Sequence, residues 1–186
     1  MKLTPLALPG LLQLEVTVRA DPRGYFIENF NAARFREMGL PTEFAQDNQS
    51  RSVPGVLRGL HYQFDPPQAK LVGVTRGRIF DAVVDLRPES PTYGRHYCVE
   101  LSDANGRWLW IPPGLAHGFC VVGNEAADVV YKVTTPWNVA GEAGIRADDP
   151  ELAIPWPVRQ PVLSARDAAL PSFAEYRQRP RRWELD

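Results

Sequence analysis

The sequence predicts an all-β domain, built as a sandwich or a barrel. Its 186 residues include 18 prolines and 14 glycines, a composition that favours many turns over a helical bundle. Between Thr42 and Thr135, strand-like segments follow one another with short breaks such as DPPQ, DANG and GNEA. Closely spaced strands of this kind are typical of a sandwich or barrel rather than of alternating strands and helices. At this length we expect one domain, spanning residues 1–186.

The N-terminal part is predicted to contain two extended segments and one short helix. LLQLEVTVR (residues 11–19) alternates between apolar and polar residues, and a turn then leads to the extended segment YFIENF (residues 25–30). NAARFREMG (residues 31–39) fits a short helix, because Asn31 can cap its N-terminus and Gly39 can end it.

The central part is predicted to consist of strands alone. In chain order they are EFAQDNQSRS (43–52), GVLRGLHYQ (55–63), AKLVGVT (69–75), RIFDAVVDLR (78–87), HYCVELS (96–102), RWLWIP (107–112), LAHGFCVV (115–122) and ADVVYKVTT (127–135). Such a succession is what a jelly roll or another closed β-structure requires.

The C-terminal part is predicted to be less regular. Residues 136–157 are rich in proline and acidic residues, and we expect irregular chain that lies over the barrel surface. Ser164 is followed three residues later by Asp167, a variant of the capping box that predicts a helix N-terminus there. The expected fold is therefore all-β with short peripheral helices, including one near the C-terminus.

Charge and composition exclude several classes of partner. The net charge is -1, from 21 basic and 22 acidic residues, so neither nucleic acid nor an anionic membrane is an expected partner. No apolar run is long enough to span a membrane, and the N-terminus lacks the basic region and cleavage site of a signal peptide. We therefore expect a soluble cytoplasmic protein in which Cys98 and Cys120 are buried free thiols.

The segment GVLRGLHYQ places a histidine in a strand close to an arginine. Strict alternation would put Arg58 and Leu60 on one face and Leu57, Gly59 and His61 on the other. A glycine inside a strand often marks a close approach by backbone or ligand. A histidine that only packs in the sheet fits this stretch equally well.

The three histidines do not form a recognisable metal motif. His61 and His117 stand in glycine-flanked strands and are expected to point inward, whereas His96 is expected at the surface. A metal site in a β-barrel of this kind would need a His-x-His pair, and Gln63 holds the place of the second histidine. Neither a metal nor another cofactor is expected. The sequence also lacks a Walker loop, a GxSxG elbow and a reactive-cysteine setting.

A set of polar residues is suited to proton transfer without a cofactor. His61 could act as the base, Tyr131 as the acid, and Lys70, Arg58 and His117 as positive or hydrogen-bond-donating groups. Each residue alone also fits a packing or solvated role. The combination is more informative than its members.

Several motifs together resemble the dTDP-4-dehydrorhamnose 3,5-epimerase family. They are GVLRGLHYQ, QAKLVGVTRGRIFDAVVDLRPESPTYGR, LWIPPGLAHGFCVV and VLSARD, in the order and spacing of that family between about Arg23 and Asp167. The resemblance implies a cupin-type jelly roll, usually a homodimer. It also implies epimerisation at carbons 3 and 5 of dTDP-4-dehydro-6-deoxy-D-glucose to give dTDP-4-dehydro-L-rhamnose.

The resemblance also implies roles for individual residues. The catalytic residues would be His61 as proton acceptor, Asp167 as its partner and Tyr131 as proton donor. The residues implied to contact the substrate are Arg23, Glu28, Gln46, Asn48, Arg58, Lys70, His117, Glu142 and Arg166. Arg166 stands where many members have lysine, and Trp137 stands where tyrosine is common.

Three other interpretations share parts of this pattern. A single-centre epimerase or ketoisomerase of the same fold would act on a related dTDP-4-keto-deoxy sugar, and a ligand-binding cupin would lack catalysis. A metal-dependent oxygenase cupin is disfavoured by the missing His-x-His ligands. A homodimer is expected from the resemblance and from the apolar segments LLQLEVTV (residues 11–18) and YFIENF, which a lone barrel would expose. Arg23 and Glu28 would then reach the neighbouring subunit's site.

Overall fold

The computed structural model describes residues 1–181 and 183 and is built mainly of β-strands. In the described part of the chain the strands are β1 (Lys2–Pro5), β2 (Leu12–Glu15), β3 (Arg19–Asp21), β4 (Gly24–Phe26), β5 (Gln46–Ser52), β6 (Leu57–Gln63), β7 (Lys70–Arg76), β8 (Arg78–Asp85), β9 (His96–Ser102), β10 (Arg107–Ile111), β11 (Leu115–Val121), β12 (Ala127–Val133) and β13 (Glu142–Gly144). The helices are α1 (Ala32–Glu37), α2 (Ala165–Ala168) and α3 (Phe173–Gln178).

The strands form two antiparallel sheets and one separate hairpin. The larger sheet has the order β1-β2-β10-β7-β12-β5, and the smaller has the order β13-β6-β11-β8-β9. The hairpin pairs β3 with β4. Neighbouring strands in both sheets are often distant in sequence, as expected for a jelly roll. The predicted all-β fold with short peripheral helices is confirmed.

The main core lies between the two sheets. The larger sheet contributes Val72 and Val129, and the smaller contributes Ile79, Val83 and Leu115, all of them buried in one cluster. Burying each such side chain stabilises the fold by about 1.5–3 kcal/mol. This core holds the sheets together on one side of the cavity described below.

The outer faces of both sheets are covered by helices. Phe35 of α1 is fully buried against Leu71 and Trp108 of the larger sheet. Phe173 and Tyr176 of α3 pack in the same way on the smaller sheet. Both sheets therefore have two buried faces, which explains why many of their strands are apolar without clear alternation.

The ends of α1 follow the sequence signals. The Asn31 side chain accepts hydrogen bonds from the backbone N–H groups of Ala33 and Arg34. At the other end, Gly39 has φ +73°, in the left-handed region that glycine adopts without strain. The predicted helix and its cap are confirmed.

The eight predicted central strands are all present, with small differences at their ends. Two other predictions were less accurate. The segment 11–19 is not one strand, because β2 ends at Glu15 and β3 begins at Arg19. The segment 136–157 is not wholly irregular, because β13 pairs with β6. A three-residue strand is too short to show a period in the sequence.

The predicted exposure of the N-terminal apolar segments is correct for only one of them. Leu11, Leu14 and Val16 are buried, and β2 lies between β1 and β10 inside the larger sheet, so segment 11–18 exposes no apolar edge. By contrast, Tyr25 and Phe26 of the β3–β4 hairpin are 54% and 68% exposed. The hairpin is therefore the apolar surface that needs an explanation.

Both cysteines are free thiols, and Cys120 is buried whereas Cys98 is half-buried. Burial and the nearby Asp81 raise the pKa of Cys98 to about 11, so this thiol stays protonated at neutral pH. Among the described residues, no helix has the length and apolar character needed to cross a membrane.

Candidate active site

A cavity of about 250 Å³ opens between the two sheets. Its lining residues are mostly polar, and eight of them were singled out from the sequence. Those eight are Gln46, Asn48, Arg58, His61, Lys70, His117, Tyr131 and Glu142. The remaining lining residues are Ser50, Gln68, Phe119 and Trp137.

The two sheets supply different groups to the cavity. His61 of β6 and His117 of β11 come from the smaller sheet, where they are registered partners. Lys70 of β7 and Tyr131 of β12 come from the larger sheet, in which these strands are neighbours. The two histidines therefore meet the lysine and the tyrosine across the gap between the sheets.

Arg58 and His61 line the same cavity, although strict alternation placed them on opposite faces. The reason is an irregularity in β6. Arg58 is paired with Phe119 and His61 with His117, so three steps along β6 match two steps along β11. The prediction that Arg58 shares a face with Leu60 is therefore wrong.

Gly59 sits at this irregularity because the backbone of β11 comes very close. It has φ +108°, and a Cβ atom on it would lie 2.6 Å from the carbonyl oxygen of His117. The close approach anticipated for this glycine is thus made by backbone. A larger residue would push His117 and His61 apart.

His61 is held by a buried carboxylate. Its Nε2 lies 2.6 Å from Oδ1 of Asp167, which belongs to α2. The His61 side chain is 23% exposed, and that of Asp167 is 5% exposed. Burial alone would raise the pKa of Asp167, but hydrogen bonds from His61, Ser164 and the backbone of Gly59 hold that pKa below its usual value. The ionised carboxylate accepts the Nε2 proton, which leaves Nδ1 as the basic atom of the neutral ring.

The sequence predicted a helix N-terminus at Ser164, and this is confirmed. The Ser164 hydroxyl oxygen accepts from the backbone N–H of Asp167. The expected reciprocal part of a capping box is missing, since the Asp167 carboxylate binds His61 instead. The reciprocal capping box of this region is formed by Ser172 and Glu175 at α3. The short helix α2 therefore supports His61 through the Asp167 carboxylate.

A second histidine–aspartate pair was not foreseen from the sequence. His117 Nε2 lies 2.7 Å from Oδ2 of Asp81, and both side chains are buried. The other oxygen, Oδ1 of Asp81, is buried and has no hydrogen-bond partner among residues 1–181 and 183. A signal existed in the sequence, because RIFDAVVD places Asp81 between apolar residues in the middle of a strand, where an unpaired charge is costly.

The two groups from the larger sheet have pKa values shifted by burial. Burial lowers the pKa of Lys70 to about 8, against a smaller opposing effect of the Glu142 charge. Burial and Glu142 raise the pKa of Tyr131, which the nearby Arg58 lowers in part. Tyr131 therefore stays protonated at neutral pH and can donate a proton.

The rim of the cavity carries a hydrogen-bonded group of three side chains. Arg166 donates to Glu142 Oε2 at 2.7 Å, and the indole Nε1 of Trp137 donates to the same oxygen at 2.9 Å. Burial would raise the pKa of Glu142, but these two donors and the nearby positive charges hold it below its usual value. The rim thus has a fixed carboxylate beside an arginine.

A second cavity of about 300 Å³ adjoins the first. It is lined by Arg58, His61, Arg166 and Asp167 together with the backbone segments around Val56 and Val162. His61 and Arg58 therefore border both cavities, whereas Asp167 lines only the second.

Two of the proposed substrate contacts, Arg23 and Glu28, line neither of these cavities in their own chain, and Arg166 lines only the second. Arg23 is at the turn of the β3–β4 hairpin, where it is exposed and pairs with Asp21. Glu28 pairs with Arg34 of α1.

His96 lies on the edge strand β9, where it is half-buried and does not line the cavity.

The place of the missing metal-binding histidine is taken by a structural side chain. Gln63 is buried and donates to the carbonyl oxygens of Pro66 and Pro136 rather than lining the cavity. In the part of the chain that the structure describes, no three His, Cys, Asp or Glu residues are grouped so that they could hold a metal ion.

Three further lining residues were missed. Ser50 could have been found, because it continues the alternating face of Gln46 and Asn48 on β5. Phe119 likewise follows His117 by two residues on β11. Gln68 lies in the loop before β7, where no sequence period assigns a direction to a side chain.

Comparison with known proteins identifies relatives along most of the chain. The sequence model of the family described as dTDP-4-dehydrorhamnose 3,5-epimerase matches residues 5–175. A protein of that description from Pseudomonas aeruginosa is 48% identical over 177 residues, covering 94% of this chain and 97% of the relative. A dTDP-4-dehydrorhamnose 3-epimerase from Streptomyces niveus is 44% identical and covers 95% of this chain and 86% of the relative.

A similar solved structure comes from Legionella pneumophila. This dTDP-6-deoxy-D-glucose-3,5-epimerase, in complex with dTDP-4-keto-L-rhamnose, is 42% identical to the chain. The two structures superpose with a TM-score of 0.91 and cover 99% of both chains.

Proposed function

The chain belongs to the dTDP-4-dehydrorhamnose 3,5-epimerase family, and on that premise we propose how its cavity inverts a sugar. It is an isomerase that converts dTDP-4-dehydro-6-deoxy-D-glucose to dTDP-4-dehydro-L-rhamnose in the synthesis of dTDP-L-rhamnose. The observation that supports this most is the placement of His61 and Tyr131 on opposite sheets of one polar cavity.

The first step is removal of a proton next to the ketone. In a 4-keto sugar, the hydrogens on carbons 3 and 5 both neighbour the carbonyl, so loss of either leaves an enolate whose charge lies on the carbonyl oxygen. His61 Nδ1 takes this proton, and Asp167 stabilises the imidazolium that forms. A single base can therefore serve both carbons.

The second step returns a proton from the other face. Tyr131 lies on the opposite sheet and is protonated at neutral pH, so it can deliver its phenolic proton to the carbon that His61 has deprotonated. The configuration then inverts. Afterwards His61 releases the proton from the sugar to solvent and the Tyr131 phenolate takes a proton from solvent, so both residues are ready for the other carbon.

The enolate oxygen needs fixed positive or donor groups. Lys70 and His117 line the same cavity as His61, and Arg58 lies at its edge. In a cavity largely closed to water, such groups can stabilise a developing charge by several kcal/mol. Because the substrate's own carbonyl accepts the charge, the mechanism uses no cofactor.

The remaining polar residues are suited to hold the nucleotide and the sugar hydroxyls. Arg58 and Arg166 carry positive charge at the opening of the cavity and fit a diphosphate. Gln46, Asn48 and Glu142 offer amide and carboxylate groups along the lining. These assignments are our proposals for binding roles.

Incubation with dTDP-4-keto-6-deoxyglucose, followed by NMR of the product, tests this function directly. We expect inversion at both carbons. Inversion at carbon 3 alone would instead match the activity named for the Streptomyces relative. Binding without any inversion would identify a ligand-binding protein and overturn the proposal.

We also propose that the active form is a homodimer of single-domain subunits in the cytoplasm. The exposed Tyr25 and Phe26 make the β3–β4 hairpin an apolar arm, and Arg23 at its turn does not line the cavity of its own chain. In a dimer the arm would place Arg23 and Glu28 in the neighbour's site. Mixing inactive Arg23→Ala with inactive His61→Ala protein should then restore activity, whereas independent monomers would stay inactive.

A further inference from the structure

Gln63 is a buried glutamine that the proton-transfer mechanism does not use. It is 2% exposed and sits at the end of β6, two residues after His61. Its side chain forms hydrogen bonds both to the loop that follows β6 and to the loop between β12 and β13, residues 134–141, which we call the strap. A buried carboxamide whose donors and acceptor are all used holds the backbone groups that it binds in fixed positions.

The bonds from Gln63 surround one residue of the strap. Its Nε2 donates to the carbonyl oxygen of Pro136 at 3.1 Å, and its Oε1 accepts from the backbone N–H of Asn138 at 2.9 Å. The residue between these two is Trp137. The same Nε2 donates to Pro66 at 3.0 Å, which ties the strap to the loop that follows β6.

Trp137 in turn organises the rim of the cavity. Its backbone N–H donates to Oε1 of Gln46 at 3.0 Å, and its indole donates to Glu142. Glu142 is the backbone partner of Gln63 across β13 and β6, so the connections form a closed ring. Trp137 is otherwise 55% exposed, so less than half of its surface is covered by the rest of the protein.

We propose that Gln63 is a positioning residue of this site: it fixes the two peptide groups that flank Trp137 and thereby aims the indole at Glu142 on the cavity rim. This inference rests on the proposed function for its link to substrate binding. His61 and Asp167 are held by β6 and α2, outside the strap. Loss of the Gln63 bonds should therefore weaken binding of the substrate more than it slows the chemical step.

A double-mutant cycle tests this role. Gln63→Met keeps the length and burial of the side chain but removes its donors and acceptor. We expect it to raise KM about tenfold with kcat within about threefold of the parent, since binding contacts at the rim are lost. In a Trp137→Phe background the same change should alter KM by less than about twofold, because the group it positions is already gone.

A matched control is Asn105→Leu. Asn105 also uses its carboxamide to bind three backbone groups, those of Glu100, Ser102 and Arg107, in the turn between β9 and β10. This turn does not line the cavity, so Asn105→Leu should lower Tm and leave KM unchanged. Equal KM effects of Gln63→Met in both backgrounds, or a lower Tm with unchanged KM as in the control, would overturn the proposal.

A fluorescence readout separates this inference from the function itself. Subtracting the spectrum of each Trp137→Phe variant isolates the emission of Trp137, and acrylamide quenching of that emission should increase in Gln63→Met. Gln63→Glu, which keeps an acceptor but no donors, serves if the methionine variant does not fold. Unchanged quenching would contradict the positioning role, whereas absence of turnover by the parent protein would contradict only the proposed function.

Discussion

The two histidine–aspartate pairs of the cavity are alike in geometry and different in surroundings. In each, Nε2 of the histidine lies 2.6 or 2.7 Å from a buried carboxylate, and the histidines are partners across β6 and β11. His61 borders two cavities and is partly exposed, whereas the His117 side chain is only 9% exposed. The His61 pair therefore has the more open surroundings of the two.

The carboxylates differ as well. Asp167 lies on a short peripheral helix, where the Ser164 side chain and the backbone of Gly59 help to hold the pKa of its carboxyl below the usual value. Asp81 lies inside the smaller sheet, and its Oδ1 is unpartnered. The same pair of residues therefore serves two tasks. The His61 pair is suited to accept and release protons, and the His117 pair holds an imidazole in one fixed orientation at the cavity wall.

The largest difference between the pairs should come from removing the histidines. His61→Ala should lower kcat by at least about 10³-fold and stop exchange of both sugar hydrogens with heavy water, because the base is gone. His117→Ala should slow inversion but leave exchange measurable by NMR. If His117→Ala abolished exchange while His61→Ala retained it, the roles assigned to the two pairs would be reversed.

Replacing each carboxylate by its amide gives a smaller and more specific contrast. In Asp167→Asn, the neighbours of the carboxylate are donors, so the new NH₂ group turns towards His61 and disfavours the basic Nδ1 tautomer. We expect kcat to fall about 100-fold. In Asp81→Asn, the NH₂ group can occupy the unpartnered side and His117 keeps its acceptor, so the loss should stay near tenfold or less. Equal losses in steady-state kinetics would argue against the distinction.

The smallest expected effect concerns pH and Lys70. Because burial lowers the pKa of Lys70 to about 8, the stabilising charge is lost as pH rises through that value, and activity should decline there. Tyr131 does not account for this decline, since its pKa is raised. Lys70→Arg should move the alkaline limb of the kcat profile to higher pH. If kcat of Lys70→Arg still declined near pH 8, the decline would belong to a group other than Lys70.

Stability provides a control for the same assignment. The pKa of Lys70 is about 8 in the folded protein and 10.5 in the unfolded chain, so between these two pH values the folded protein binds fewer protons than the unfolded chain. Burying the charged lysine therefore lowers the free energy of unfolding below pH 8. This cost disappears above pH 10.5, where the lysine is neutral in both states. Lys70→Met should therefore be more stable than the parent at pH 7, by at most about 3 kcal/mol. The gap should close as the pH rises.

The contrast between the pairs also shows how far the sequence could lead. His61, Tyr131 and Asp167 stand in motifs that resemble the family, and the repeated strands and turns predict the all-β fold. Asp81 was missed because the pattern of apolar and polar residues along one strand does not show that its carboxylate contacts His117 on another strand. The shared face of Arg58 and His61 was missed because an irregularity in β6 depends on the approach of β11. Both features arise from contacts between strands that are distant in the chain.

The central claim, that a base and an acid act from opposite sheets, is tested most directly by Tyr131→Phe in heavy water. This change removes the phenol and keeps the ring, so His61 can still take a proton and return one to the same face. NMR of the sugar should show deuterium entering at carbons 3 and 5 with configuration largely retained. Inversion of both carbons at the parent rate would show that Tyr131 is not the acid and would contradict the account.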